Sequence, residues 1–381
     1  MKPKVALVYD RANTTYGGAE KVLLALHQAF PQAPLYTSLH HHDARWAKNF
    51  DVKTSFLQKI PFANKLHRFF VLLMPLAFES FNLSEYDIVV SITSAEAKGV
   101  ITRPNQLHVC YLLTPSRYLY SHRTHYEQTH WPFKIPIINF FSKKIFDYLS
   151  WWDQAAAFRP DVIIPISNLI KDRAKQYYHR NTEKIIYPPL DLNQLRPVEN
   201  HEAYSPYYLP DKYYLVIARL VPYKRIELAI QACQRLNRNL VIIGEGPSQK
   251  KLEKIANEST YFLGNVTSIQ RQAILSQAQA LLMPGIEDFG ITALEAILSD
   301  KPVVLHKMTG AAELFKDEKV AIYLDKLSTK AVEKAILQLE QTEFSFSLIK
   351  KKLTKYAIND FIGRFKKTVF DFYDKKQEEL S

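Results

Sequence analysis

Cysteine is nearly absent from this chain of 381 residues, which has only Cys110 and Cys233. The two stand far apart in apolar or helical surroundings. That spacing excludes a disulfide scaffold and a zinc ribbon and points to reduced, buried thiols. Long hydrophobic runs are missing as well. The longest, Phe69–Phe78, is broken by Pro75, whereas a bilayer-spanning helix takes about 20 apolar residues. Behind Met1-Lys2-Pro3 the apolar stretch Val5–Tyr9 is too short for a secretory leader and runs into Asp10 and Arg11. The expectation is a cytoplasmic protein, at most peripheral on the inner face of a membrane. Neither G-x-G-x-x-G nor G-x-x-x-x-G-K-[ST] occurs, so a dinucleotide fold and a P-loop ATPase have no support.

What is present is an ordinary globular composition, 47% hydrophobic and 23% charged, with a formal net charge of +12. The length suits two domains, each able to bury a core. The positive balance invites polyanions. No zinc-finger spacing, aromatic RNA-binding motif or long basic block accompanies it, so nucleic acid is not the expected partner. A field that attracts nucleotide diphosphates and anionic lipid fits better. His40-His41-His42-Asp43 are adjacent residues that cannot all aim at one ion from a strand or helix. They read as a solvated loop, and no metal site is expected.

Lys4–Tyr9, Asp87–Ser91, His108–Leu113 and Val162–Ile166 read as buried strands, with Ala19–Phe30 an amphipathic helix. Gly17 and Gly18 lie in the loop between the first strand and that helix, where glycine lets backbone N–H groups approach a ligand. Tyr187-Pro188-Pro189 reads as a stiff hinge. Beyond it the alternation restarts: strands at Tyr213–Ala218, Leu240–Ile243, Thr260–Leu263, Ala280–Met283 and Val303–Leu305, with helices between them. Alternating β and α at this spacing means parallel sheets covered by helices on both faces. Phe361–Tyr373 reads as a final amphipathic helix. Phe56–Phe81 and Ile135–Trp152 are rich in aromatic and basic residues. Each reads as a helix packed on the sheet or as a surface dipping into anionic lipid headgroups.

The chemistry concentrates at Pro284–Ser299, P-G-I-E-D-F-G-I-T-A-L-E-A-I-L-S. A buried strand, a loop holding Glu287, and a helix N-terminus at Phe289, Gly290 and Ile291 form the arrangement in which parallel sheets receive ligands. Unpaired N–H groups there suit a phosphate. Glu295 falls at the margin of the helix's apolar stripe, where a carboxylate is costly unless hydrogen-bonded. Arg219 and Lys224 follow another strand and offer a planar fork and a movable point charge for a diphosphate. Gly244 and Gly246 follow a third. Arg117, His122 and Arg123, with His125 and His130, are interleaved with tyrosines and read either as a cup for an acceptor's phosphate or sugar or as scattered surface charges on a loop.

Glu287 and Glu295, spaced E-x7-E, resemble the signature of retaining family-4 glycosyltransferases. I-A-R-L-V-P-Y-K-R (217–225), I-I-G-E-G-P (242–247) and Y-G-G-A-E-K (16–21) resemble the same family, in the same order. L-A-F-E-S-F (76–81), A-K-G-V-I-T-R-P (97–104) and Y-P-P-L-D (187–191) resemble its bacterial mannosyltransferases of polysaccharide assembly. The likeness covers nearly the whole chain. It implies the GT-B fold: an acceptor domain at 1–190 with a returning helix at 359–381, and a donor domain at 191–358, both Rossmann-like. It further implies Arg219 and Lys224 on the donor diphosphate and Glu295 on the ribose. Glu287 would take a hexose hydroxyl and favour an oxocarbenium-like centre, and Gly17-Gly18 would reach towards the phosphates.

Base contacts are expected near Gly264–Val266, with Val266 as the candidate. Metal-dependent transferases commonly hold their cation with D-x-D, which does not occur in this chain; activity without a metal is therefore expected. The donor implied is GDP-mannose and the acceptor a glycan or lipid-linked sugar. A UDP-sugar on the same fold is the alternative, and a sugar-nucleotide-binding protein that has lost catalysis is a further one. The chain departs from the family at Ser94 and Leu113, where histidines are usual, and at Glu96, where an aromatic is usual.

Overall fold

A computed structural model describes residues 2–13, 17–124, 136–192 and 209–381 of the chain. It divides into two compact units, Met1–Pro189 with Asn359–Ser381, and Leu190–Ile358. Each is built on its own six-stranded parallel sheet.

In the first unit the strands are β1 (Val5–Tyr9), β2 (Leu35–Thr37), β3 (Val52–Thr54), β4 (Ile88–Thr93), β5 (Leu107–Leu112) and β6 (Val162–Pro165), with β1 followed by helix α1 (Gly18–Ala29). They lie in the order β3-β2-β1-β4-β5-β6. Central strands such as Ile88–Thr93 are buried at every position, as a sheet covered on both faces requires. Helices α2 (Pro136–Ala156) and α3 (Asn168–Tyr178) flank β6 in sequence. The closing helix of the chain, Ile358–Leu380, is longer than the sequence pattern predicts. It buries Phe361 and Phe365 against Tyr111, with ring centroids 5.9 and 5.3 Å apart.

The second unit has β7 (Tyr214–Ile217), β8 (Leu240–Ile243), β9 (Thr260–Gly264), β10 (Ala280–Met283), β11 (Val303–His306) and β12 (Ala321–Leu324), in the order β12-β11-β10-β7-β8-β9. Its helices are α4 (Ile226–Arg235), α5 (Gln249–Ile255), α6 (Ser268–Gln277), α7 (Ile291–Leu298), α8 (Thr329–Glu340) and α9 (Ser347–Leu353), the terminal helix Ile358–Leu380 being α10. Leu228, Ala232, Val332 and Ile336 pack with Tyr214, Leu240 and Leu282 in one continuous core.

One of the two readings of Phe56–Phe81 fails. The stretch Phe56–Phe81 is not a single helix: it breaks into the 3-10 turns Phe56–Lys59 and His67–Leu73 and the short helices Ala63–Leu66 and Met74–Glu79. Pro75 lies in the first turn of the last piece, where its missing N–H costs nothing. Phe62 turns the chain with a φ of 59°. The strands β2, β3 and β12 were not expected. Each is short, three to four residues, and the outer ones, β3 and β12, are only partly buried.

Candidate functional site

Strand order decides where a ligand can sit. In the second unit β7 is laid down first, the chain then builds β8 and β9 to one side, and it returns to place β10 on the other. The loops leaving the carboxyl ends of β7 and β10 therefore flank a topological switch point, the usual ligand position in such sheets. Arg219 and Lys224 leave β7; Glu287 leaves β10.

These loops are drawn together by close backbone approaches. A Cβ on Gly244 would lie 2.1 Å from the Ala218 carbonyl oxygen, and one on Gly246 would lie 2.4 Å from that of Leu220. One on Gly285 would lie 2.5 Å from the Tyr223 oxygen. The Leu220 N–H donates to the Glu245 carbonyl at 2.9 Å, and the Gly244 N–H to that of Gly264 at 2.8 Å. Glycine is thus required where the β8 and β10 loops cross the β7 loop. This crossing brings Lys224 to Glu287, with the ammonium donating directly to Glu287 Oε1. Both side chains are mostly buried, at 17% and 12% exposure. Arg219 is exposed at the same strand end, and its side chain has no ion pair or hydrogen bond among the described residues.

Gly290 caps α7 with φ 94°, a left-handed turn that glycine adopts without strain. Phe289 is buried, and Gly290 and Ile291 are partly so. The loop is held from behind: the Gly310 N–H donates to the Glu287 carbonyl at 3.1 Å and the Ala311 N–H to that of Phe289 at 2.6 Å. The first N–H groups of a helix have no intrahelical acceptor, so this end presents a positive edge.

Glu295 is fully inside, one turn on in α7. Arg271, from the first turn of α6, donates to it at 2.6 Å through Nη1 and 3.5 Å through Nη2. The sequence reading missed Arg271. The only signal available was the demand of a buried carboxylate for a donor, which names no partner. Val266 is partly buried on the loop that enters α6, next to Thr267, whose hydroxyl and the Gln270 amide form a capping box.

The remaining predicted residues belong to the first unit. Gly17 and Gly18 open α1, and the Glu20 carboxylate behind them accepts the Tyr9 hydroxyl at 2.8 Å. Arg117, His122 and Arg123 share one turn after β5, where the His122 N–H donates to the Arg117 carbonyl at 2.9 Å. Arg123 pairs with Asp147 at 2.7 Å and stacks over Phe146. His122 meets the Ser121 hydroxyl at 2.8 Å. His125 and His130 lie outside the described residues, as does Tyr16 of the Y-G-G stretch. His41, His42 and Asp43 bring their ligand atoms within 4.8 Å of one another, but on exposed or half-exposed side chains.

Two parallel-sheet units of this kind define the GT-B fold class, and known proteins bear this out. Anabaena HepE, solved in complex with UDP, superposes with a TM-score of 0.69 at 15% identity, covering 97% of this chain and 100% of that one. A sucrose-phosphate synthase from Thermosynechococcus elongatus superposes with a TM-score of 0.72 at 12% identity, covering 98% and 100%. Residues 199–360, which take in most of the second unit, match the family described as glycosyl transferases group 1. An uncharacterized glycosyltransferase of Methanocaldococcus jannaschii is 32% identical over 124 residues, 30% of this chain and 32% of that protein. A GDP-mannose-dependent phosphatidylinositol monomannoside mannosyltransferase of Mycobacterium tuberculosis is 26% identical over 201 residues, 47% and 52% of the two. The matches to these curated relatives span between about a third and a half of the relatives' length.

Proposed function

We propose that the protein is a retaining glycosyltransferase that moves a hexose from a sugar nucleoside diphosphate to a glycan or lipid-linked acceptor. The observation that carries this reading is the meeting of Lys224 and Glu287 at the switch point of the second sheet, beside the exposed Arg219. In this reading Arg219, Lys224 and the amino end of α7 take the diphosphate, whose charge grows as the bond from the anomeric carbon to the phosphate oxygen breaks. Losing one well-aimed donor to such charge costs roughly 3 kcal/mol of barrier. Lys224 leaves Glu287 for the phosphate, which frees the carboxylate for a hexose hydroxyl and for the developing positive ring. The acceptor oxygen forms the new bond on the same face, and its proton passes to the departing phosphate. Glu295, held by Arg271, takes the ribose hydroxyls. The cations and the helix end supply the positive charge, so turnover is expected to persist in EDTA.

For the donor, a UDP-hexose leads, since one protein of this fold, Anabaena HepE, is solved with UDP, with UDP and glucose, and with UDP-glucose. GDP-mannose is the second reading, favoured by the mannosyltransferases among the curated relatives. Calorimetry with UDP, GDP and ADP, followed by product analysis with the matching sugar nucleotides in EDTA, tests both. Absence of binding to all three would end the transferase reading.

Contact with an anionic membrane is part of the proposal. Phe62, Leu66, Phe69, Leu72 and Leu76 are all exposed along the broken stretch after β3, Phe62 by 73%. Tyr148 and Trp151 are exposed on α2, whose Phe146 and Leu149 pack with Val71. No described helix is long and apolar enough to cross a membrane. Flotation with anionic vesicles at low salt should carry the protein upward; equal sedimentation with and without lipid would remove the idea.

A further inference from the structure

The first sheet also reverses its build direction, between β1 and β4. The loops leaving those two strands hold charges that the donor chemistry leaves unused. Asp10, directly after β1, accepts from Thr93 Oγ1 at 2.7 Å, from the Ser94 N–H at 2.7 Å and from the Ala97 N–H at 2.8 Å. It is saturated and ties the two loops together. Glu96 is buried on the β4 loop, 2% exposed. Its Oε1 accepts the Tyr118 hydroxyl at 2.7 Å, from the loop after β5. Its Oε2 has no hydrogen-bond partner among the described residues although it is shut off from solvent.

The nearest cation stops short. Arg11 Nη2 lies 3.9 Å from Glu96 Oε2, whereas Arg271 closes on Glu295 to 2.6 Å and Arg123 on Asp147 to 2.7 Å. A buried carboxylate oxygen without a donor is costly and calls for a partner. A hydroxyl oxygen entering from the Arg11 side would accept from Arg11 and donate to Glu96 once Oε2, now closed off from solvent, is uncovered. Arg11 is 25% exposed and forms the open side of the group. The other nearby cation, Lys98, is committed to Asp153. With Asp10 and Glu96 facing a single guanidinium, an anion is disfavoured and a neutral polyol is favoured.

We propose that Glu96, with Arg11 and Tyr118, reads one hydroxyl of a neutral sugar acceptor at the switch point of the first unit. This rests on the transferase reading and adds to it the acceptor's chemical class: the end that enters this group is an uncharged sugar, not a phosphate. Glu96 and Arg11 touch the acceptor; Asp10 positions the loop that carries Glu96.

Saturation-transfer NMR on the full chain with methyl α-glucoside, methyl α-galactoside and methyl α-mannoside tests the assignment. It is paired with UDP and GDP calorimetry and thermal denaturation of each variant. At least one glycoside should receive saturation from the wild type. Glu96→Leu and Arg11→Gln should each weaken that signal at least tenfold and Glu96→Gln less. Nucleotide affinity should stay within twofold, and Glu96→Gln, which keeps an acceptor for the Tyr118 hydroxyl, should not lower the Tm. Unchanged glycoside binding in Glu96→Leu and Arg11→Gln overturns the proposal, and so does a wild type that binds none of the three glycosides. Loss of glycoside binding together with a lowered Tm in both Glu96 variants assigns the group a purely structural role and also overturns it. Failure of nucleotide binding in the wild type would instead strike the transferase reading itself.

Discussion

Replacing Arg271 by alanine removes the guanidinium that pairs with a buried carboxylate of the second unit. Glu295 has a side chain only 6% exposed, and Arg271 is 20% exposed. Removing one partner of a deeply buried ion pair costs about 3–5 kcal/mol, while a surface pair is worth about 0–1 kcal/mol. Water reaches the arginine end of this pair and can partly rehydrate the carboxylate, so about 2 kcal/mol is expected. For a unit of this size that corresponds to a fall of roughly 4–8 °C in Tm. Circular dichroism on Arg271→Ala, Glu295→Gln and the double variant would measure it. The coupling energy from the cycle should be about 1–2 kcal/mol. Calorimetry on the same proteins should show UDP or GDP bound at least tenfold more weakly by Arg271→Ala, because the carboxylate that would hold the ribose is no longer aimed. A coupling below about 0.5 kcal/mol, with nucleotide affinity unchanged, would refute the reasoning.

Other consequences are independent of that pair. Gly244→Ala should destabilise the second unit by several degrees and weaken nucleotide binding, since φ is 126° and the added Cβ would sit 2.1 Å from the Ala218 oxygen; a thermal melt matching the wild type would count against the crossed-loop account. Burial pushes the His108 imidazole down to about 3. The folded state therefore keeps it neutral while the unfolded chain takes up a proton below about 6.5. Its contribution to stability is complete above that pH and is lost as pH falls, at about 1.4 kcal/mol per unit. Urea titrations at pH 7 and pH 5 should show the wild type losing about 2 kcal/mol more than His108→Gln, and equal losses would contradict the assignment. Burial also pushes the Cys110 and Cys233 thiols up to about 12. Neither should react with iodoacetamide at pH 8 until the protein is unfolded in guanidinium, which mass spectrometry reads directly.

The parallel strands were legible because both of their faces are covered. Leu240–Ile243 and Ala280–Met283 are unbroken apolar runs and appear at those limits. The three-residue β2 and β3 carry no comparable run, and Lys53 sits in the middle of β3. With prolines at 61 and 75, Phe56–Phe81 folds as short pieces, which its aromatic and basic composition alone does not reveal. Local spacing suggested a shared crevice for Glu287 and Lys224. Their ion pair depends on β7 and β10 lying side by side, which is a property of strand order rather than of any nearby residues. Arg271 looks like any solvated charge on a polar helix face, and only the packing of α6 near α7 gives it a partner. Glu96 was visible as a departure from its relatives, yet its orphan oxygen exists only in three dimensions.

The account turns on Glu287 as a group that acts on the hexose and not on the nucleotide. Its most direct test is Glu287→Gln measured side by side for UDP or GDP affinity and for turnover of the preferred sugar nucleotide. Affinity within threefold of the wild type, with turnover reduced at least 100-fold as expected for loss of a charge aimed at the transition state, is the predicted result. Turnover within tenfold of the wild type, or a parallel loss of both quantities, would contradict the assignment.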